Sequence, residues 1–193
     1  MVHVRPFFAM CGLLAFCFLF LPKADADASS HSGMFSADNS SYEYTFSETG
    51  PATFTAATTS YAMGGFVPVL TLFDATTGAE IDNDGTGFGD VSLSDVLGSG
   101  SYDLFLTEFP NVAVGDLSDG FLLDEYSDGA TYTGDSCGVT GGMFYNTITC
   151  TPTTNQYALT ASSTAVTPEP ATWLLVLPPA AFLFLSTRRR NNA

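Results

Sequence analysis

The apolar and polar positions divide the chain into three zones. Phe7 to Leu21 is an unbroken apolar run closed by Pro22, and Leu174 to Leu185 is a second apolar run followed by Arg188, Arg189 and Arg190. Between them the pattern alternates with a period of two, the mark of half-buried strands. Tyr42, Tyr44 and Phe46 fall on one strand face, and so do Ala52, Phe54 and Ala56 within a Thr-rich strand running to Tyr61. Phe66 to Phe73 is more continuously apolar, which predicts a central strand. Pro68 sits early in it, where a missing amide donor is tolerated.

Asp74 to Gly78 predicts a hairpin turn, with a return strand starting at Ala79–Ile81. Asp82 to Asp90 is dense in Gly and Asp and predicts a loop. Val91–Leu97, the Gly98–Gly100 turn and Ser101–Phe109 follow, the last giving the strongest strand signal. Residues 111–135 predict a long irregular excursion packed on the sandwich edge. Met143–Cys150 and Gln156–Ala161 supply the last strands. No segment of the body shows helical periodicity. Many short strands separated by Gly/Asp turns predict an all-β chain with a single β-sandwich. The expected organisation is a leader over 1–28, a flexible entry over 29–41, the sandwich over 42–161, a linker over 162–167 and a sorting tail over 168–193.

The two ends read as addresses. Arg5, the apolar run and the small residues of Ala24-Asp25-Ala26-Asp27-Ala28 have the layout of a secretory signal peptide, with cleavage after Ala28 or alternatively Ala26. The tail joins Pro168-Glu169-Pro170 to an apolar segment and the Arg188–Arg190 stop. Arginines stay on the cytoplasmic side because moving them through hydrocarbon is costly. This tripartite tail resembles the PEP-CTERM sorting signal of Gram-negative bacteria. The resemblance implies recognition of Pro168, Glu169 and Pro170 by an exosortase, a transpeptidase-like membrane enzyme. The span from Ala171 to Thr187 is about 25 Å as helix, short for a hydrocarbon core of about 30 Å, and Pro178-Pro179 would kink it. A temporary hold in the membrane suits it better than a permanent anchor.

Charge narrows the classes open to the body. Every one of the 5 Lys and Arg residues lies outside Ser29–Thr167, whereas only Asp25, Asp27 and Glu169 of the 20 acids do, which leaves 17. Nucleic-acid binding, which is driven by Lys and Arg, is excluded. The carboxylates must be solvated, bonded to backbone or neutralised by cations. Cys11 and Cys17 lie in the leader, so Cys137 and Cys150 remain and are expected to form a disulfide in an oxidising compartment. Its loop of about 14 residues is worth roughly 3 kcal/mol in the chain-entropy model.

The run Phe66–Asp74, then Gly78, Asn83-Asp84-Gly85, Asp90, Leu97 and Gly100-Ser101-Tyr102, resembles bacterial pre-peptidase C-terminal-like domains over about Tyr42–Asn111. That resemblance implies a jelly-roll-like sandwich acting as an accessory binding or stabilising module, without a catalytic centre.

The sequence establishes no cofactor; calcium is the one candidate. Asp82, Asn83, Asp84 and Asp90 could wrap carboxylate and carbonyl oxygens around a hard cation. The competing reading is a solvated loop whose Asp and Asn stabilise turns. An EF-hand does not fit, because Val91 stands where a bidentate carboxylate is required. Ser-His-Asp chemistry lacks a base other than His31, and Gly85–Gly89 lacks the Lys of a phosphate loop. Tyr126, Tyr132, Phe144 and Tyr145 suggest sugar stacking, although core packing explains most rings in so small a domain. The sequence thus points to an exported, non-catalytic protein of the cell surface or exopolysaccharide matrix. Signal peptidase and exosortase are its expected processing partners, the inner membrane its transient host and exopolysaccharide a candidate partner. A carbohydrate-binding module is the alternative, and a secreted hydrolase is a third.

Overall fold

The structure, a computed structural model, describes residues 26–64, 66–85, 88–124, 132–139 and 144–166. Within these residues the chain is all-β and builds two four-stranded antiparallel sheets packed face to face. One sheet has the order β1 (Ala26–Met34), β10 (Gln156–Ala165), β3 (Ala52–Thr58), β6 (Ser92–Leu97). The other has the order β2 (Ser41–Glu48), β7 (Gly100–Glu108), β4 (Pro68–Asp74), β5 (Glu80–Asp84). The pairs β1·β10, β2·β7, β3·β6 and β4·β5 nest as in a rolled-up hairpin, the strand order of a jelly roll. A two-residue hairpin, β8 (Tyr145–Asn146) with β9 (Thr151–Pro152), lies between β7 and β10.

Alternation explains the core. Ala52, Phe54 and Ala56 of β3 are buried and their neighbours only half-buried. Leu70 and Leu72 of β4 meet Leu104 and Leu106 of β7 in register, and with Phe54, Leu93 and Leu159 they fill the space between the sheets. β4 and β7 are buried on both faces because the excursion after β7 covers the outer one. A bridge between Ala113 and Phe121 fixes that excursion, and Phe121 packs on Phe73 and Phe105 with ring centroids 6.4 and 5.4 Å apart. The excursion therefore covers a sheet face, whereas the sequence suggested only an edge.

Four further expectations are corrected. Residues 29–41 are not a flexible entry: Ala26–Met34 is a strand that pairs along its whole length with β10. Its polar composition fits an edge strand that buries one face only partly. The linker over 162–167 is also displaced, since Ser162–Ala165 pair with β3 from Thr55 to Ala52. Asp82–Asp84 belongs to a strand: a bulge at Leu72/Phe73 lets β5 pair with β4 despite its acids. Among the described residues two short α-helices occur, α1 (Ser60–Gly64) and α2 (Tyr132–Ser136), each a single turn whose first amides are also held from elsewhere, by Asp90 and by Asp38. Among the described residues no helix is long and apolar enough to cross a membrane. The leader before Ala26 and the tail residues Pro168, Glu169, Pro170, Arg188, Arg189 and Arg190 lie outside the described residues. Ala28 pairs with Ser162, and cleavage after it would leave six of the nine β1 residues in place.

Candidate functional site

The proposed calcium residues each make hydrogen bonds of their own. Asp90 is the anchor of α1: its carboxylate accepts from Tyr61 N at 2.9 Å, Ala62 N at 3.1 Å and the Thr58 hydroxyl at 3.1 Å. These are the otherwise unbonded amides of a helix start, capped from a distant loop. Asp84 Oδ2 accepts from Ser92 N at 2.9 Å and ties the end of β5 to the start of β6. Asn83 points its amide to Glu80, on the strand face opposite Asp82. Among the described residues no group of three or more His, Cys, Asp or Glu side chains is placed to hold a metal ion.

Asp82 instead meets Asp95, a residue the sequence reading did not single out. The two acids lie side by side where the free edges of β5 and β6 approach. The Asp95 carboxyl is pushed above the usual carboxylate range, first by desolvation and then by Asp82. Its Oδ2 is buried.

A more deeply buried pair lies at one end of the sandwich. Alternation after Leu104 and Leu106 places Glu108 on the inter-sheet side of a central strand, and it is fully buried at 0% exposure. Asp38, in the turn between β1 and β2, is 1% exposed. Burial, and then the Asp38 carboxyl beside it, push Glu108 up to about 9; the Thr153 hydroxyl, donating to Oε1 at 3.3 Å, opposes the shift. Asp38 Oδ2 accepts from Thr133 N at 2.6 Å. The remaining oxygens, Asp38 Oδ1 and Glu108 Oε2, have no hydrogen-bond partner among the described residues. The pair thus joins the β1–β2 turn and β7 to the segment carrying Thr133 and Thr153.

That segment is held by Cys137–Cys150, a disulfide as expected, with Cα atoms 5.4 Å apart. Thr133 Oγ1 accepts from Tyr145 N at 3.0 Å, and Asn146 Oδ1 accepts from Ile148 N and Thr149 N at 2.9 and 3.0 Å. Turn-forming polar side chains do here what a longer ladder does elsewhere.

Two of the proposed sugar-stacking rings stand in the core. Phe144 and Tyr145 are buried at 6% and 8% exposure, and Tyr126 lies outside the described residues. Other aromatics close the β1–β2 side of the sandwich: His31 lies 4.8 Å from Tyr44, and Tyr42 packs 5.1 Å from Tyr157. Beside them a groove of about 210 Å³ is lined by Tyr44, Phe46, Glu48 and Ser163. His31 is bonded to Ser29 Oγ at 3.0 Å and to Tyr42 Oη at 2.8 Å, so no carboxylate orients the imidazole.

No protein-family model and no curated protein matches the chain. The solved structures similar to it include the pre-peptidase C-terminal domain of a Bacillus anthracis collagenase. The two are 10% identical, with a TM-score of 0.39, over 69% of this chain and 87% of that one. Aeromonas hydrophila PliG, a periplasmic inhibitor of g-type lysozyme, is 12% identical with a TM-score of 0.38, over 75% and 90%. The Yersinia pseudotuberculosis-derived mitogen is 9% identical with a TM-score of 0.34, over 76% and 93%.

Proposed function

We propose that the chain is an exported, non-catalytic protein of a Gram-negative cell surface or exopolysaccharide matrix. In this reading the jelly roll is the cargo. The tail from Pro168 to Arg190 is its processing signal, read by an exosortase after signal peptidase has removed the leader. The Cys137–Cys150 disulfide is the observation that best supports export, because such bridges persist in oxidising compartments. A body without Lys or Arg, self-repelling and soluble, fits a crowded anionic surface where divalent ions bridge carboxylates.

Intact-mass analysis of the exported protein tests the reading, in a host with its exosortase and in one lacking it. The expected product begins near Ser29 and ends near Pro168–Pro170 only when the enzyme is present. A mature protein that retains Arg188–Arg190 in both hosts would sink it.

Carbohydrate binding is the second reading, favoured by the Tyr44/Phe46 groove with its Glu48 and Ser163 polar groups. Polysaccharide pull-down with Tyr44→Ala as the control decides it, and equal retention of the two proteins counts against it.

A further inference from the structure

We infer that Asp38 and Glu108 form a buried site for one divalent cation of the calcium class, clamped between the sandwich and its disulfide-bonded segment. Both side chains are almost wholly removed from solvent. Each leaves one oxygen, Asp38 Oδ1 and Glu108 Oε2, without a hydrogen-bond partner among the described residues. Buried acids are ordinarily paired with a base or coordinated to a metal, because an isolated buried charge is very costly. This body has no Lys or Arg from Ser29 to Thr167 to serve as the base. A proton on one carboxyl neutralises half of the pair, and a divalent cation from outside the chain is the group that would neutralise both.

The ligand set fits a hard ion. Two carboxylates neutralise a double charge, and the Thr153 hydroxyl, 3.3 Å from Glu108 Oε1, is a neutral oxygen beside the pair. Calcium accepts such mixed oxygen shells with loose geometry, whereas magnesium demands a near-ideal octahedron and keeps its waters. The site is distinct from Asp82, Asp84 and Asp90, whose oxygens are bonded to backbone amides. Because Asp38 also holds Thr133 N, an ion here would fasten the β1–β2 turn, β7 and α2 together.

The test uses the intact, oxidised chain in detergent, stripped with chelator and titrated with calcium, with magnesium for comparison. One calcium is expected to bind per chain and to raise the melting midpoint with concentration by mass action. Glu108→Gln and Asp38→Asn keep size and remove charge, and each should weaken binding roughly tenfold or more. Asp82→Asn with Asp84→Asn should leave binding unchanged. Hydrogen exchange on the unmutated chain gives a readout independent of the variants: calcium should slow the Thr133 and Tyr145 amides. Absence of saturable binding, binding that survives both Glu108→Gln and Asp38→Asn, or unchanged exchange at Thr133 and Tyr145 each overturns the assignment. None of these outcomes bears on tail processing, so the two proposals fail separately.

Discussion

The hydroxyl of Tyr42 lies 2.8 Å from Nδ1 of His31, and this contact joins the edge strand of one sheet to the edge strand of the other. Sandwich edges are weak points because their outer ladder positions are unpaired. Here an imidazole and the Tyr42, Tyr44 and Tyr157 rings close the gap between β1 and β2, and desolvation raises the Tyr42 phenol above its usual range.

Tyr42→Phe removes that hydrogen bond while keeping the ring, and is expected to cost about 1 kcal/mol. Chain beginning at Phe35 instead of Ser29 loses the rest of β1 and should be destabilised by several times that amount. Urea unfolding of the three proteins checks the order. Equal midpoints for the full-length and shortened chains would show that β1 contributes nothing.

Glu108 makes stability fall as pH rises in the ion-free protein. Its ordinary value is 4.5 and its folded value is about 9. Between those limits the folded state holds a proton that the unfolded state has lost. The contribution is therefore complete below about pH 4.5 and is lost progressively toward pH 9, at up to about 1.4 kcal/mol per pH unit. Asp95, also shifted upward, acts in the same direction. Melts in chelator between pH 5 and 9 should slope downward, and Glu108→Gln should flatten the slope. A wild-type profile that rises over this range contradicts the assignment.

The same residue shows where sequence reading stops. The strands from Tyr42 to Phe109 were readable because alternation and continuous apolar runs report burial directly: Phe54 and Leu104 stand in the core as their patterns require. Glu108 was equally visible in principle, as the acid that continues the inward register of Tyr102, Leu104 and Leu106. Asp38 carried no such signal, since the Thr133 amide it accepts from lies 95 residues away. β1 was missed because Ser-rich edge strands bury too little to imprint a pattern. The acids of β5 read as a loop because composition says nothing of the bulge that lets them pair with β4. The capping of α1 by Asp90 from a distant loop leaves no trace in spacing.

Reduction of Cys137–Cys150 should loosen the segment it closes more than the sandwich. The bridge spans a sequence separation of 13, for which the unfolded-state constraint is worth roughly 3 kcal/mol. Among the described residues only the two-residue strands β8 and β9 form a ladder there. Exchange at Tyr145 and Cys150 amides, compared with and without reductant, measures the effect. The Leu104 and Leu106 amides in the core of β7 should change far less. Equal acceleration at both places would mean that the segment and the sandwich unfold as one unit.

Asp90 separates a structural carboxylate from a metal ligand. It takes the amides of Tyr61 and Ala62 and the hydroxyl of Thr58, while Thr58 Oγ1 in turn accepts from Val91 N at 3.0 Å. Asp90→Ala strands two helix-start amides and breaks this relay, for an expected loss of about 1–2 kcal/mol. Asp90→Asn keeps one acceptor oxygen and should lose less. Because these bonds involve no cation, the loss should be the same in calcium and in chelator. Glu108→Gln should behave differently, abolishing the calcium-dependent part of the melting shift. If the cost of Asp90→Ala appears only with calcium present, Asp90 is a ligand after all and its capping role is secondary.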